Sequence, residues 1–240
     1  MKDDGENGWE ASAQAWIASL GDEGDFGRRY VLDAPMLELA GTPSNALDVG
    51  CGEGRFCRIL KARGVATTGV DPTRALIAEA RRRDPEGVYL EAGAEALPFA
   101  DGAFDLVVGY LALIDIVDVP AAIAEMARGL APGGRLLIAN LNGFNTAGLE
   151  TGWVQGERGD SLYFAMDRYL EERAVWTEWR GIRIINHHRP LSTYLKLCID
   201  QGLVLMHFSE PAPNPDAPRE RAARFRRAPW FCVMAWVKPA

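Results

Sequence analysis

Apolar positions recur in this chain with two different periods. Trp9, Ala13, Trp16, Ile17 and Leu20 follow helical spacing until Gly21 to Gly24 stops them, so 9–20 is expected to be a helix. A second helical run, from about Arg28 to Leu39, carries Tyr30, Val31, Met36 and Leu37, with Pro35 marking a turn or a restart. Together they form a layer over a sheet edge, a lid over a ligand with Tyr30 or Arg29 reaching inward, or both.

From 46 to 140 short apolar segments alternate with amphipathic ones. Strands are expected at 46–49, 66–70, 87–91, 104–110 and 134–140, and helices at about 54–63, 73–83 and 119–130. The breaks are rich in glycine and proline, as at Gly64, Pro72, Pro85, Pro98, Gly102 and Pro132. Alternation with such short links implies parallel strands joined by crossover helices, hence an α/β, doubly wound sheet.

The rhythm breaks at 141–189, which holds glycines, clustered charges and Trp153, Trp176 and Trp179. Only 182–185 reads as a short strand there. A helix at 190–201 and strands at 203–209 and 230–237 follow.

Composition narrows the classes. The 240 residues, 48% of them apolar, suit one α/β domain or a core with a lid. A net charge of −7 disfavours nucleic acid as a partner, because phosphate-binding surfaces are usually basic. Arg219, Arg221, Arg224, Arg226 and Arg227 run against that average, as a solvated face or as a site for an anionic substrate or partner. No apolar run approaches the roughly 18 residues of a membrane span, and the polar, acidic start has no signal core. A cytoplasmic location is therefore expected. Cys51, Cys57, Cys198 and Cys232 are dispersed without zinc spacing, so they are expected to be reduced and no metal is expected.

The segment from Ala46 to Phe56, ALDVGCGEGRF, reads as a buried strand, a glycine turn and a helix start. Its glycines are Gly50, Gly52 and Gly54. A dinucleotide loop, G-x-G-x-x-G, would place the third at position 55, where Arg55 stands. Asp48 would repel a pyrophosphate at close range. The same carboxylate pairs with an ammonium, and the turn's N–H groups remain free for a carboxylate. A ligand with an ammonium, a carboxylate and a sulfonium, S-adenosylmethionine, suits the turn. Asp71, ending the next strand, is placed either to bind both ribose hydroxyls or to start the helix after it.

With the turn and Asp71, the ordered motifs Ala94-Glu-x-Leu-Pro-Phe99, Phe104-Asp-Leu-Val107 and Leu130-x-Pro-Gly-Gly134 complete a set. Over roughly 46–140 this set resembles the class I S-adenosylmethionine-dependent methyltransferases, in the small-molecule group of ubiquinone-type enzymes. The resemblance implies a Rossmann-like, seven-stranded mixed sheet with an N-terminal helical lid (1–45), a cofactor-binding core (46–140) and an inserted substrate cap (141–189). The C-terminal helix and last two strands (190–240) complete a single domain. Asp48, Gly50, Cys51 and Gly52 would line the methionine moiety and Asp71 the ribose. Pro72, Ala94 and Glu95 would flank the adenine, Tyr110 and Leu111 would face the reactive sulfur, and Tyr30 would reach in from the lid. Gly93 departs from the family, many members of which have an acidic residue there. So does Asn140-Leu-Asn-Gly143, where many have His-Pro.

Methyl transfer needs alignment and a dry pocket, and a general base only when the acceptor must lose a proton. His187 and His188 lie where the cap meets the core and are the candidate catalytic residues; the alternative is backbone hydrogen bonding at that junction. The cap's tryptophans, with Arg173, Arg180, Arg183 and Arg189, suit a flat or acidic small molecule, or else simply pack the lid. The expected partner is a small-molecule methyl acceptor, without nucleic acid or membrane, in a monomer or homodimer. The rivals are a methyltransferase of protein or tRNA, a non-catalytic cofactor-binding subunit and a nicotinamide oxidoreductase.

Overall fold

The computed structural model describes residues 7–240. Seven strands form the central sheet: β1 (Asn45–Val49), β2 (Ala66–Asp71), β3 (Val88–Glu91), β4 (Phe104–Tyr110), β5 (Leu130–Leu141), and, later in the chain, β10 (Val204–Ser209) and β11 (Phe231–Val237). Their spatial order is β3-β2-β1-β4-β5-β11-β10. The first five pair in parallel, and β11 and β10 join antiparallel. The mixed seven-stranded sheet and its α/β class are as expected. The chain runs outward from β1 to β3, then returns to place β4 on the other side of β1. That reversal opens a crevice at the carboxyl ends of β1 and β4, where doubly wound sheets bind ligands.

Side-chain alternation assigns the two faces. Leu47, Val107, Leu136 and Ile138 pack with α5 (Val119–Gly129) and α7 (Leu191–Asp200) through Ile123, Met126, Tyr194 and Cys198. Their neighbours Ala46, Leu106, Val108 and Leu137 pack on the opposite face with α2 (Asp33–Ala40) and α3 (Arg55–Ala62) through Met36, Ala40, Phe56 and Leu60. Helix α4 (Arg74–Arg83) follows β2 and buries Leu76, Ile77 and Ala80.

Before β1, helix α1 (Trp9–Leu20) lies against α4 and against the strand β9 described below. The second N-terminal run does not break at Pro35. It passes through a π-helical turn, Arg28–Leu32, into α2, where Pro35 is the third residue. The π turn immediately precedes the proline, whose missing N–H and ring disturb the regular bonding of the turn before it.

The insert is more ordered than its composition suggests. It holds a short helix α6 (Gly143–Ala147), a hairpin of β6 (Gly152–Gln155) and β7 (Ser161–Ala165), and a second hairpin of β8 (Arg173–Trp179) and β9 (Ile182–His188). Only part of β9 was expected. Most residues of β8 are half-buried or exposed, so the strand has no apolar run to announce it. Arg219 to Phe225 form α8. Among the described residues no helix is long and apolar enough to cross a membrane, and no three His, Cys, Asp or Glu side chains cluster as a metal site.

Candidate active site

The glycine turn follows β1 directly. Gly50 and Cys51 donate their N–H groups to Val70 O at 2.8 and 3.0 Å, which locks the turn to β2. Gly50 has φ +73°, and a Cβ there would lie 2.4 Å from Ala112 Cβ. Glycine is therefore required both by the left-handed backbone and by the close passage of the loop after β4.

Asp48 lies buried at the end of β1, beneath the turn. Its Oδ2 accepts the Cys57 thiol at 3.4 Å, and its Oδ1 has no hydrogen-bond partner among the described residues. Burial pushes its pKa up to about 7, with Asp71 and Glu53 acting the same way, while the Cys57 hydrogen bond and Arg28 oppose. Asp71 ends β2. Its Oδ2 accepts Gly52 N–H at 3.0 Å and its Oδ1 accepts Thr73 N–H at 2.8 Å. It thus braces both the turn and the start of α4, and each oxygen keeps a second lone pair for a ligand hydroxyl.

A cavity of about 500 Å³ opens above these groups. Asp48, Gly50, Cys51, Gly52 and Asp71 line it, and so do Pro72, Ala94, Glu95, Tyr110 and Leu111. Tyr30 does not. Its ring packs on Phe26 at 5.2 Å between centroids, and its carbonyl accepts Asn214 N–H at 2.7 Å. The side chain that enters from the π turn is Arg28, paired with Asp25 at 2.9 Å and lying 5.0 Å above the Trp16 ring. Neither Arg29 nor Tyr30 faces inward, because the wider turn shifts the helical register on which that expectation rested.

Tyr110 presents its ring to the cavity but not a free hydroxyl. The hydroxyl donates to Asp33 Oδ1 at 2.8 Å, and Arg55 Nη1 donates to the same oxygen at 3.0 Å. Burial, with the Asp33 charge beside it, holds the pKa of the Tyr110 phenol well above its ordinary value.

The structure brings neither candidate histidine to the cavity. His188 is fully buried, with Nδ1 2.7 Å from the Thr146 hydroxyl and Nε2 2.9 Å from the Tyr169 carbonyl. A carbonyl only accepts, so Nε2 carries the hydrogen and Nδ1 accepts from Thr146. Burial lowers the pKa of both imidazoles, which favours the neutral ring. His187 ties its backbone N–H to Ile114 O at 2.8 Å, and its Nε2 has no partner among the described residues. Their role at this junction is the backbone and packing one.

Of the residues flanking them, Asn186 reaches the cavity and Arg189 holds the loop beside it. Asn186 lines the cavity with Ile184, as strand alternation from β9 dictates. Arg189 is buried and donates to the carbonyls of Leu113, Ile116 and Val117 at 3.2, 2.7 and 3.0 Å.

Of the insert's tryptophans only Trp179 lines the cavity. Trp176 lies 3.9 Å under Arg183 at the surface, and Trp153 packs with Phe164 and beneath Arg227. Arg180 faces the cavity, whereas Arg173 pairs with Glu150. In the C-terminal cluster Arg221 faces the cavity, while Arg226 and Arg227 hold the carbonyls of Pro213 and Ser161. Sequence reasoning missed Asp115, Asn186 and Trp230. It read Trp9 and Trp16 only as a helical stripe, yet they are seven residues apart, two turns on one face, and their rings meet at 5.1 Å.

A family profile described as a methyltransferase domain matches residues 47–138. The chain is 35% identical over 157 residues to a malonyl-[acyl-carrier protein] O-methyltransferase of Enterobacter lignolyticus, covering 65% of this chain and 61% of that one. It is 40% identical over 117 residues to a demethylmenaquinone methyltransferase of Thermus thermophilus, covering 46% and 52%. The alignments thus span about half to three fifths of these curated relatives. An S-adenosylmethionine-dependent methyltransferase structure from Mesorhizobium loti superposes with a TM-score of 0.78 at 27% identity, covering 90% of this chain and all of that one.

Proposed function

We propose, from the premise that this chain belongs to the class I S-adenosylmethionine-dependent methyltransferases, that it methylates a small molecule held between the glycine turn and the insert. When bound, the cofactor supplies an electrophilic methyl group on a sulfonium.

The observation that carries the reading is the unpartnered, buried Oδ1 of Asp48 beneath the turn. A buried carboxylate without a donor is costly. The ammonium of a methionine moiety supplies that donor and returns Asp48 to its charged form. Arg28, also on the cavity wall, suits the carboxylate of the same moiety. Asp71 has lone pairs for ribose hydroxyls, and Pro72 and Ala94 offer flat contact for a base. A dinucleotide fits this floor poorly, since Asp48 would face its phosphates. Tyr110 and Leu111 exclude water where the two ligands meet.

The substrate reading rests on the far wall, where α1, α8 and the insert place Trp16, Trp179, Phe225 and Trp230 around the cavity. The two named relatives act on an acyl-carrier-bound malonyl group and on a quinone precursor. The aromatic wall favours a flat, free small molecule over a carrier-bound chain. Calorimetric titration with S-adenosylmethionine, S-adenosylhomocysteine and NAD tests the cofactor. Binding of the first two and not of NAD is expected; NAD binding alone would reverse the reading.

A further inference from the structure

We propose that Asp115 accepts the proton of the methyl acceptor, and that the acceptor is a hydroxyl group on a flat apolar body. The proposal rests on the methyltransferase reading above and assigns it a base and an acceptor class.

Asp115 lies on the loop that follows β4, at the crevice where the sheet order reverses, and it lines the same cavity as Gly50 and Asp71. That loop is clamped. It leaves β4 through Leu111, a non-glycine residue at φ +59°, whose N–H donates to Ala139 O at 2.8 Å. Arg189 holds the carbonyls of Leu113, Ile116 and Val117, and His187 N–H holds that of Ile114. Backbone is thus fixed on both sides of Asp115. A left-handed leucine is strained, and such strain persists where the surroundings over-determine it.

The side chain is held by one oxygen only. Asn186 Nδ2 donates to Asp115 Oδ1 at 2.7 Å, and Asn186 Oδ1 accepts the Thr177 hydroxyl at 3.2 Å, which orients the amide. Oδ2 accepts no hydrogen bond from the described residues and is left for a ligand atom. The other groups on the cavity wall have other assignments: Asp71 takes two backbone amides and is left to the ribose, Asp25 and Glu53 pair with Arg28 and Arg58, Glu95 is left to the adenine, Tyr110 is bonded to Asp33, Asp48 lies beneath the turn, and the histidines are elsewhere.

Burial pushes the pKa of Asp115 up to about 8. Asp71 adds to this, while the Asn186 hydrogen bond, Arg28 and Arg189 pull the other way. A carboxylate this basic suits proton transfer near neutral pH. A hydroxyl oxygen is a weak nucleophile while it keeps its hydrogen, unlike a thiolate or a carboxylate, so a base is of use only to a protic acceptor. As the new O–C bond forms the O–H bond breaks and the proton goes to Oδ2. The electron pair of the broken C–S bond stays on sulfur, so one positive and one negative charge vanish together. Ile114, Ile184, Trp16 and Trp179 supply the flat apolar surroundings.

The test uses 2-naphthol and its proton-free ether, 2-methoxynaphthalene, titrated by fluorescence into the full chain loaded with S-adenosylhomocysteine. The wild type is expected to prefer the naphthol by about tenfold, as suits a hydrogen bond to a charged group. Asp115→Asn should reduce the preference to within about twofold and leave S-adenosylhomocysteine affinity unchanged. In the wild type the preference should set in as pH rises through about 8. In Asn186→Ala that midpoint should move upward, since the lost hydrogen bond favours the charged form; a merely structural role would not move it. An equal preference in wild type and Asp115→Asn, a pH-independent preference, or no naphthol binding by the wild type overturns the proposal. Failure of S-adenosylhomocysteine to bind the wild type would instead overturn the cofactor reading.

Discussion

Tyr110 donates its hydroxyl to Asp33 Oδ1 at 2.8 Å, across 77 positions of sequence. The bond joins the end of β4, the floor of the cavity, to the first residue of α2, and Arg55 from α3 completes the cluster at 3.0 Å. The N-terminal helices are therefore fastened to the site rather than merely resting over it. Tyr110→Phe should cost about 1 kcal/mol of stability, a typical value for one hydrogen bond, because Arg55 still satisfies Asp33. It should also weaken S-adenosylmethionine binding a few-fold by loosening the segment that carries Arg28. Urea unfolding and calorimetry check both effects, and an unchanged affinity would uncouple the helices from the cofactor site.

Asp71→Ala removes the acceptor of two backbone amides as well as the proposed ribose contacts. Cofactor affinity should fall about tenfold or more. Asp71→Asn, which keeps one carbonyl acceptor, should recover part of the fold stability but less of the affinity. Calorimetric titration separates the two variants; wild-type affinity in Asp71→Ala would remove the ribose assignment.

Asp48 and Asp115, raised to about 7 and 8, bind protons more tightly in the folded state than at the ordinary carboxylate value of 3.8. The folded ligand-free protein then holds more protons than the unfolded chain between those limits. Stability should be highest at about pH 4 and decline as pH rises from there, with the loss complete once both carboxyls ionise in the folded state at about 7 to 8, by several kcal/mol. Asp48→Asn should flatten part of that decline and raise the melting temperature at pH 8, while weakening the cofactor. Differential scanning calorimetry across pH with and without S-adenosylhomocysteine reads this directly. A pH-independent melting temperature would mean that neither carboxyl is desolvated.

His188→Ala should act on stability, not chemistry. It strips a hydrogen-bond partner from Thr146 and from the Tyr169 carbonyl in a buried setting, and should cost about 2–3 kcal/mol. His187→Ala should leave methyl transfer within about twofold of wild type. A large loss of turnover in the His187 variant, with cofactor binding intact, would restore that imidazole to the catalytic step.

The core was legible because its signals are local. Short apolar strands, glycine breaks and the early third glycine at Gly54 each declare themselves within a few residues. Ten of the eleven expected cofactor contacts line one cavity, Tyr30 being the exception. Tyr30 failed for a physical reason: a π turn changes which side chain of Arg28, Arg29 and Tyr30 points inward, and no apolar spacing reports one extra residue per turn. The hairpin β8–β9 was half seen because an exposed ribbon lacks an apolar run. The segment Asn186 to Arg189 carries two imidazoles at its middle, and neither lines the cavity. What decided the outcome was strand alternation, which turns Asn186 toward the cavity, and the carbonyls awaiting Arg189, neither of which is readable before the loop after β4 is in place.

The two hairpins of the insert pair only within themselves, and no strand between 141 and 189 other than the end of β5 belongs to the central sheet. On the proposed reading, acceptor range is therefore separable from the scaffold as an exchangeable module. The seam for such an exchange lies between Ile185 and Asn186. A graft ending before it alters the wall while the loop around Asp115 keeps its guanidinium clamp. A graft running past Arg189 must bring its own ligand for three loop carbonyls, or the donor side of the crevice collapses with the acceptor side.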